Sequence, residues 1–282
     1  MASTAPTPYR FRRTYSGPLQ GVILDWSGTT VDYGCIAPAK VFVDIFTRQG
    51  VPISMEEARG PMGMYKRDHI RQITQMPSIA ARWQDKQGRL PTEDDVQAMY
   101  DAFIPLQIAC IAEYADPIPG VPETVKAFHQ RGLKVGSTTG YTRAMMDVLL
   151  PEASKRGYAP DCLVCPDEVA GGRPAPWMSF QNAMRLGIYP MESFVKIGDT
   201  VVDIAEGLNA GMWTIALAKT GNELGLMQRQ VESLTPESLS GKLKGIYERL
   251  NQAGAHYVVD SLADVLPILD HINERLAQGE KP

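Results

Sequence analysis

The chain reads as an α/β protein, a doubly wound parallel sheet with an all-helical cap inserted after the first strand. Three observations predict this. From about residue 120 onward, short apolar runs of strand length alternate with amphipathic segments of helix length, the pattern of βα units on a parallel sheet. The first run, Gln20-Gly-Val-Ile-Leu-Asp25, ends in an acid, as a buried strand does when it delivers a side chain to the carboxyl edge of a sheet. Between Ala37 and about Ala112 the apolar spacing is three and four residues, without a convincing strand.

The elements follow in order. After the first strand, Trp26 to Tyr33 is a loop rich in Gly and Thr; Pro61, Pro77, Pro91 and Pro105 then punctuate the helical stretch. Beyond Pro117-Ile-Pro-Gly120, a helix over 122–131 leads to a strand over 133–138, and a helix over 142–156 to a strand over 162–164. Helices over 177–186 and 202–210 lead to strands over 194–197 and 214–217; a strand over 257–259 and a helix over 262–276 close the pattern. The expected division is a flexible arm at 1–18, a core at 19–34 and 114–282, and a helical cap at 35–113. Hinges belong near 33–37 and 114–119, where the chain crosses into and out of the cap.

Bulk properties bound the function. At 282 residues, 44% hydrophobic and 21% charged, the composition is that of a soluble globular protein. The net charge of −4 offers no global basic field for nucleic acid or an anionic membrane, so an anionic substrate needs local cations and oriented amides. No apolar run approaches the ~20 residues of a membrane span. The first 18 residues carry Pro6, Pro8 and the cluster Arg10-Phe11-Arg12-Arg13 but no apolar stretch of the kind a secretory signal needs. Cys35, Cys110, Cys162 and Cys165 make no disulfide framework in a chain of this size, and a reducing cytoplasm fits them best. Cys162 and Cys165 form a C-x-x-C pair inside an apolar strand; it reads as packing, since a metal site would need a second ligand pair.

Four motifs converge at strand ends: Asp25-Trp-Ser-Gly-Thr-Thr-Val-Asp32, Ser137-Thr-Thr139-Gly140, Gly171-Gly-Arg173-Pro174 and Gly198-Asp199-Thr-Val-Val-Asp203. An acid at a strand end is by itself more often a helix cap or turn former. Together these residues can perform phosphoryl transfer. Asp25 can bind a metal with one oxygen and attack phosphorus with the other. Asp199 and Asp203 supply the oxygen-rich anionic setting that Mg²⁺ prefers. Thr139 and the amides around Gly140 can hold a phosphoryl oxygen, and Arg173 sets a fixed positive charge where negative charge accumulates.

This order of motifs resembles the haloacid dehalogenase superfamily from about residue 20 to residue 270. Phosphatases and mutases of that superfamily carry a second Asp two residues after the nucleophile, which protonates the leaving oxygen; here the position is Ser27. An alkoxide leaving group would lack its general acid, which argues against an ordinary phosphate ester.

The cap contributes Pro61-Met62-Gly63-Met64-Tyr65-Lys66-Arg67-Asp68-His69, expected to open a helix at Pro61 with Met62, Lys66 and His69 on one face. A lysine near a helix N-terminus and beside His69 should hold more free amine at neutral pH, as an amine nucleophile requires. Read alone, Lys66 fits an ordinary surface lysine. Segments 25–35, 58–69, 136–143 and 170–177 together resemble the phosphonoacetaldehyde hydrolase (phosphonatase) family.

The resemblance implies cleavage of a carbon–phosphorus bond to acetaldehyde and phosphate, in 2-aminoethylphosphonate degradation. It implies a Schiff base at Lys66 and an aspartyl-phosphate at Asp25. Mg²⁺ would be bound by Asp25, the Ser27 carbonyl and Asp199, with Asp203 orienting. Thr139, Gly140, Gly63 and Arg173 would hold the substrate, and His69, Cys35, Tyr141 and Met62 would manage protons and water near the imine. Tyr141 and Cys35 also fit plain packing roles. The family further implies a homodimer joined through the caps. A phosphate-ester phosphatase would instead need an acid at position 27, and a non-catalytic relative would have lost Asp25, Asp199 or Asp203.

Overall fold

The structure, a computed structural model, describes residues 14–282, so positions 1–13 of the expected arm, with its basic cluster, lie outside the described residues. Six strands form one sheet: β1 Gly21–Leu24, β2 Lys134–Thr138, β3 Cys162–Val164, β4 Phe194–Gly198, β5 Trp213–Leu217 and β6 Tyr257–Val259. Their order is β3-β2-β1-β4-β5-β6, and every neighbouring pair is parallel. Connections turn one way from β1 to β2 and the other way to β4. A crevice therefore opens at the carboxyl ends of β1 and β4, where ligands bind in sheets of this kind.

Five helices intervene between β1 and β2: α1 Ile36–Arg48, α2 Met55–Arg59, α3 Lys66–Thr74, α4 Pro77–Gln87 and α5 Glu93–Ile111. They form the helical cap, and no strand interrupts them among the described residues. Around the sheet lie α6 Val121–Gln130, α7 Arg143–Lys155, α8 Trp177–Leu186, α9 Val201–Asn209, α10 Gln228–Glu232, α11 Pro236–Gln252 and α12 Leu266–Ala277. Helix α6 packs on β2, α8 on β2 and β3, α9 on β4 and β5, and α11 on β6.

One hydrophobic cluster runs from the sheet (Val22, Leu24, Val135, Ile197) through Trp26 into the cap (Phe42, Phe46, Ile70, Phe103). Burying each such side chain stabilises the fold by roughly 1.5–3 kcal/mol, so cap and sheet are held together by more than the two crossing segments.

Every expected strand forms with boundaries shifted by one residue at most, because each is a short apolar run; β1, β2, β4 and β5 lie in the interior of the sheet and β3 and β6 at its edges. Three helical expectations are corrected. Pro105 lies inside α5 and does not break it. The closing helix is divided into a 3-10 turn at Leu262–Asp264 and α12, which carries Pro in its first turn. Helices α10 and α11 occupy a stretch to which the expected pattern assigns nothing, although Leu239, Leu243, Ile246 and Leu250 recur along α11 at helical spacing and pack in one cluster. Its start was legible in Thr235-Pro236, where the Thr235 hydroxyl accepts from the Ser238 amide at 3.2 Å. No helix among the described residues is long and apolar enough to cross a membrane, and all four cysteines are free.

Candidate active site

Strand pairing brings the first two acids together. Leu24 stands in register with Ile197, and the Asp25 amide continues the ladder to the Ile197 carbonyl at 3.0 Å. Asp25 and Asp199 thus leave the ends of adjacent strands. Asp203 joins them from the first turn of α9, where Thr200 and Asp203 form a reciprocal cap: the Asp203 amide donates to the Thr200 hydroxyl, which donates to the Asp203 carboxylate at 2.6 Å. The three buried carboxylates offer oxygens that all lie within 4.8 Å of one another. Thr29 donates to Asp199 Oδ1 at 2.9 Å and the Asn222 amide donates to Oδ2 at 2.7 Å, which leaves free lone pairs on both oxygens.

Arg173 is wholly buried against this cluster. It reaches Asp25 at 2.6 Å, Asp203 at 3.0 Å and Glu206 at 2.9 Å. Lys196, on β4, pairs with Asp203 at 3.1 Å and Glu206 at 2.9 Å. Glu206 also accepts from Thr138 and Ser179 at 3.0 Å each, so it fixes Arg173 from behind. Neither Lys196 nor Glu206 emerged from the sequence. The available signals were a lysine inside an otherwise apolar strand and an acid three residues after Asp203 on one helix face.

Charge balance favours a cation here. Burial pushes the Asp25 carboxyl up, partly opposed by Arg173; burial pushes Asp199 well up, with the charges of Asp25 and Asp203 adding. Burial also works against the Asp203 carboxylate, but Arg173 and Lys196 outweigh it and hold it below the usual range. With all four ionised, the buried carboxylates Asp25, Asp199, Asp203 and Glu206 exceed the buried cations Arg173 and Lys196 by two negative charges, an excess that adds to burial in raising Asp25 and Asp199 and that a dication would neutralise. An oxygen-only, doubly negative cluster fits Mg²⁺. A bound dication would reverse the upward pressure on Asp25 and Asp199.

A cavity of about 20 Å³ sits over the cluster, lined by Asp25, Ser27, Thr139, Gly140, Tyr141, Arg173 and Thr200 from the core. From the cap it receives Cys35, Met62, Gly63 and Lys66. Two glycines permit this closeness. A Cβ on Gly63, at φ +90, would stand 2.5 Å from the Thr200 hydroxyl, and one on Gly140 would stand 2.5 Å from the Met64 carbonyl.

Lys66 is 4% exposed and begins α3. Its ammonium lies 4.8 Å from the centre of the Tyr141 ring and 5.8 Å from that of Phe42. Burial lowers the Lys66 amine from the ordinary 10.5 to about 8, against the raising effect of Cys35 and Asp25.

The expected geometry around Lys66 is corrected in two respects. Gly63 at φ +90 prevents a helix starting at Pro61, so Met62 sits in a turn and shares no helix face with Lys66. His69, one turn after Lys66, is not a neighbouring cation. Its ring stacks on Phe42 at 3.8 Å, Nε2 meets the Ala58 carbonyl at 2.8 Å, and burial followed by the Lys66 charge holds its pKa well below 6.5. His69 does not line the cavity, and its Nδ1 is buried without a partner. The depressed Lys66 amine therefore owes most to burial.

Ser27 and Tyr141 meet at 3.5 Å, and Ser27 donates to Asp32 at 2.5 Å. Asp32, at φ +54, also accepts the Ile36 and Ala37 amides at the start of α1, while burial holds its carboxyl at about 6. It thereby ties the loop bearing Ser27 to the first cap helix, a role its place in the first motif did not disclose. The thiol of Cys35 is pushed well up by burial. The remaining histidines are spent elsewhere, His129 on Asp161, His256 on Thr214 and His271 on Tyr257.

The same fold recurs in known proteins. A model of the haloacid dehalogenase-like hydrolases matches residues 19–211. A phosphonoacetaldehyde hydrolase of Nitratidesulfovibrio vulgaris is 50% identical over 275 residues, covering 98% of both chains. A bifunctional phosphonoacetaldehyde hydrolase/aminoethylphosphonate transaminase of Clostridioides difficile is 48% identical over 269 residues, 95% of this chain and 42% of that one. The crystal structure of a phosphonoacetaldehyde hydrolase-like protein from Oleispira antarctica superposes with a TM-score of 0.95 at 37% identity, covering 98% of this chain and 100% of that one.

Proposed function

We propose that this chain, which belongs to the haloacid dehalogenase-like hydrolases and within them to the phosphonoacetaldehyde hydrolase family, cleaves phosphonoacetaldehyde to acetaldehyde and phosphate through covalent bonds to Lys66 and Asp25. The observation that carries the reading is that a buried lysine with its amine lowered to about 8 lines the same cavity as the Asp25 carboxylate.

The Lys66 amine adds to the aldehyde carbon and water leaves, giving a protonated imine. Asp25 attacks phosphorus as the carbon–phosphorus bond breaks. The bonding pair moves into the imine, so carbon departs as a neutral enamine and not as a bare carbanion. The enamine takes a proton on carbon, and water then releases acetaldehyde and restores the Lys66 amine. Water hydrolyses the aspartyl-phosphate to phosphate and free Asp25. Because the leaving group is protonated on carbon, no acid is needed at position 27, consistent with Ser27 there.

Arg173 and Thr139 hold the phosphoryl oxygens in this scheme, with Glu206 and Lys196 keeping Arg173 in place. Asp25, Asp199, Asp203 and the Ser27 carbonyl would hold Mg²⁺, whose charge would draw electron density from the phosphoryl oxygens. Cys35, Tyr141 and Met62 line the space around the imine carbon, where they exclude bulk water. His69 acts from behind Lys66 as a neutral ring that adds no positive charge. The homodimer through the caps belongs to the same proposal; α5 offers the half-buried apolar residues Ile104, Leu106 and Ile108 for it.

Borohydride added with phosphonoacetaldehyde should reduce the imine and leave a two-carbon adduct on Lys66, read by peptide mass spectrometry. Normal turnover with Lys66 never modified would sink the imine mechanism.

A further inference from the structure

The cavity of about 20 Å³ has room for little more than a water. A phosphonate with a two-carbon aldehyde can enter only after the cap moves away from the core, so some contact must restore the register of Lys66 over Asp25. The apolar contacts between cap and sheet are non-directional. A directional contact is made by Arg59, the last residue of α2.

Arg59 is half-buried, and among the described residues it forms no ion pair with a carboxylate. Its guanidinium donates instead across the boundary. One nitrogen reaches the Gly34 carbonyl at 2.8 Å, the Cys35 carbonyl at 3.3 Å and the Asn222 side-chain carbonyl at 3.2 Å; the other reaches the Gly225 carbonyl at 3.1 Å. The Asn222 side chain returns a bond to the Arg59 carbonyl at 3.3 Å. These acceptors belong to the crossing segment at 34–35 and to the core loop at 220–225. The same loop holds the metal-site acid, since the Asn222 amide donates to Asp199 at 2.7 Å. It also holds the nucleophile loop, because Thr220 donates to the Gly28 carbonyl and accepts from the Gly34 amide. A planar fork with donors at fixed angles sets position more sharply than a point charge would.

We infer that Arg59 is a positioning residue for catalysis: it latches the cap to the 220–225 loop and so sets Lys66 over Asp25 in the closed enzyme. The inference rests on the proposed imine chemistry only for the purpose of the closed state. Its test needs no substrate.

The full chain is treated with N-hydroxysuccinimidyl acetate, and acylation of Lys66 is timed by peptide mass spectrometry against the exposed Lys155 as internal reference. Arg59→Met keeps the aliphatic stem and removes the fork. It should raise the Lys66 acylation rate about tenfold or more, equivalent to ~1.4 kcal/mol of lost closure, with the Lys155 rate unchanged and the urea midpoint lowered by no more than that loss implies. Arg59→Lys should recover part of the protection. Should Arg59→Met fail to fold, Asn222→Ala replaces it, because it removes the side-chain partner of Arg59 and keeps the backbone amide on Asp199. A Lys66 acylation rate equal to that of the parent in the folded variant overturns the latch. Failed borohydride trapping alongside faster acylation would fault the imine and leave the latch standing.

Discussion

Replacing Lys66 with methionine should make the protein more stable while abolishing its turnover. At pH 7 the buried ammonium is held against a fall in its pKa from 10.5 to about 8. At about 1.36 kcal/mol per pKa unit, that cost is ~3 kcal/mol. The rings of Tyr141 at 4.8 Å and Phe42 at 5.8 Å return part of it, by ~1 kcal/mol in total. Methionine is close in length and buries without that charge, so Lys66→Met should gain ~2 kcal/mol at pH 7. The sign follows from proton linkage. Between about 8 and 10.5 the unfolded chain binds a proton at this lysine that the folded chain does not. The parent therefore gains stability as pH rises through that window, and the Lys66→Met variant lacks this slope. The gap should be full below pH 8, shrink by ~3 kcal/mol across the window and so pass through zero before pH 10.5. Urea unfolding of parent and Lys66→Met at about pH 7 and pH 9.5, followed by circular dichroism, measures both the gap and its slope. A variant no more stable than the parent at neutral pH, with an unchanged gap in the alkaline buffer, would refute the claim that Lys66 is held at a cost to the fold.

Two further outcomes follow from the same site. Because imine formation needs the free amine, the borohydride-trapping rate should rise with pH with a midpoint near 8; a flat profile from about pH 6 to 9 would contradict a titrating Lys66. Chelation should stop release of phosphate, since the Asp25–Asp199–Asp203 cluster loses its counter-charge, yet leave trapping at Lys66 intact. Phosphate release should return with added Mg²⁺, and undiminished release after exhaustive chelation would count against a metal at this cluster.

The places where sequence reasoning ran short share a cause. Helix α11 carries its signals in the Thr235-Pro236 start and in the spacing of Leu239, Leu243, Ile246 and Leu250, but only two of these are fully buried, so what the stripe packs against appears only in the fold. Lys196 and Glu206 were missed because their meaning is mutual: each is an ordinary charged residue until the fold sets Glu206 2.9 Å from both Arg173 and Lys196. Asp32 stood inside a motif already singled out, but its positive φ and its hold on the α1 amides are backbone events without a side-chain signature. Met62 is kept out of α3 by the left-handed φ of +90 at Gly63, a backbone event that the sequence marks only by the glycine itself.

By itself the sequence determined the parallel sheet, the inserted helical cap and the acids at the ends of β1 and β4. Strand burial, strand–helix alternation and residue chemistry are local properties that a linear pattern records. It also set Ser27 beside Asp25, and with it the kind of leaving group. Only the tertiary structure decided that Lys66, far from Asp25 along the chain, lines the same cavity, and that burial more than His69 lowers its amine. Desolvation depends on everything packed around a group, and that surrounding does not exist until cap and core have closed on each other.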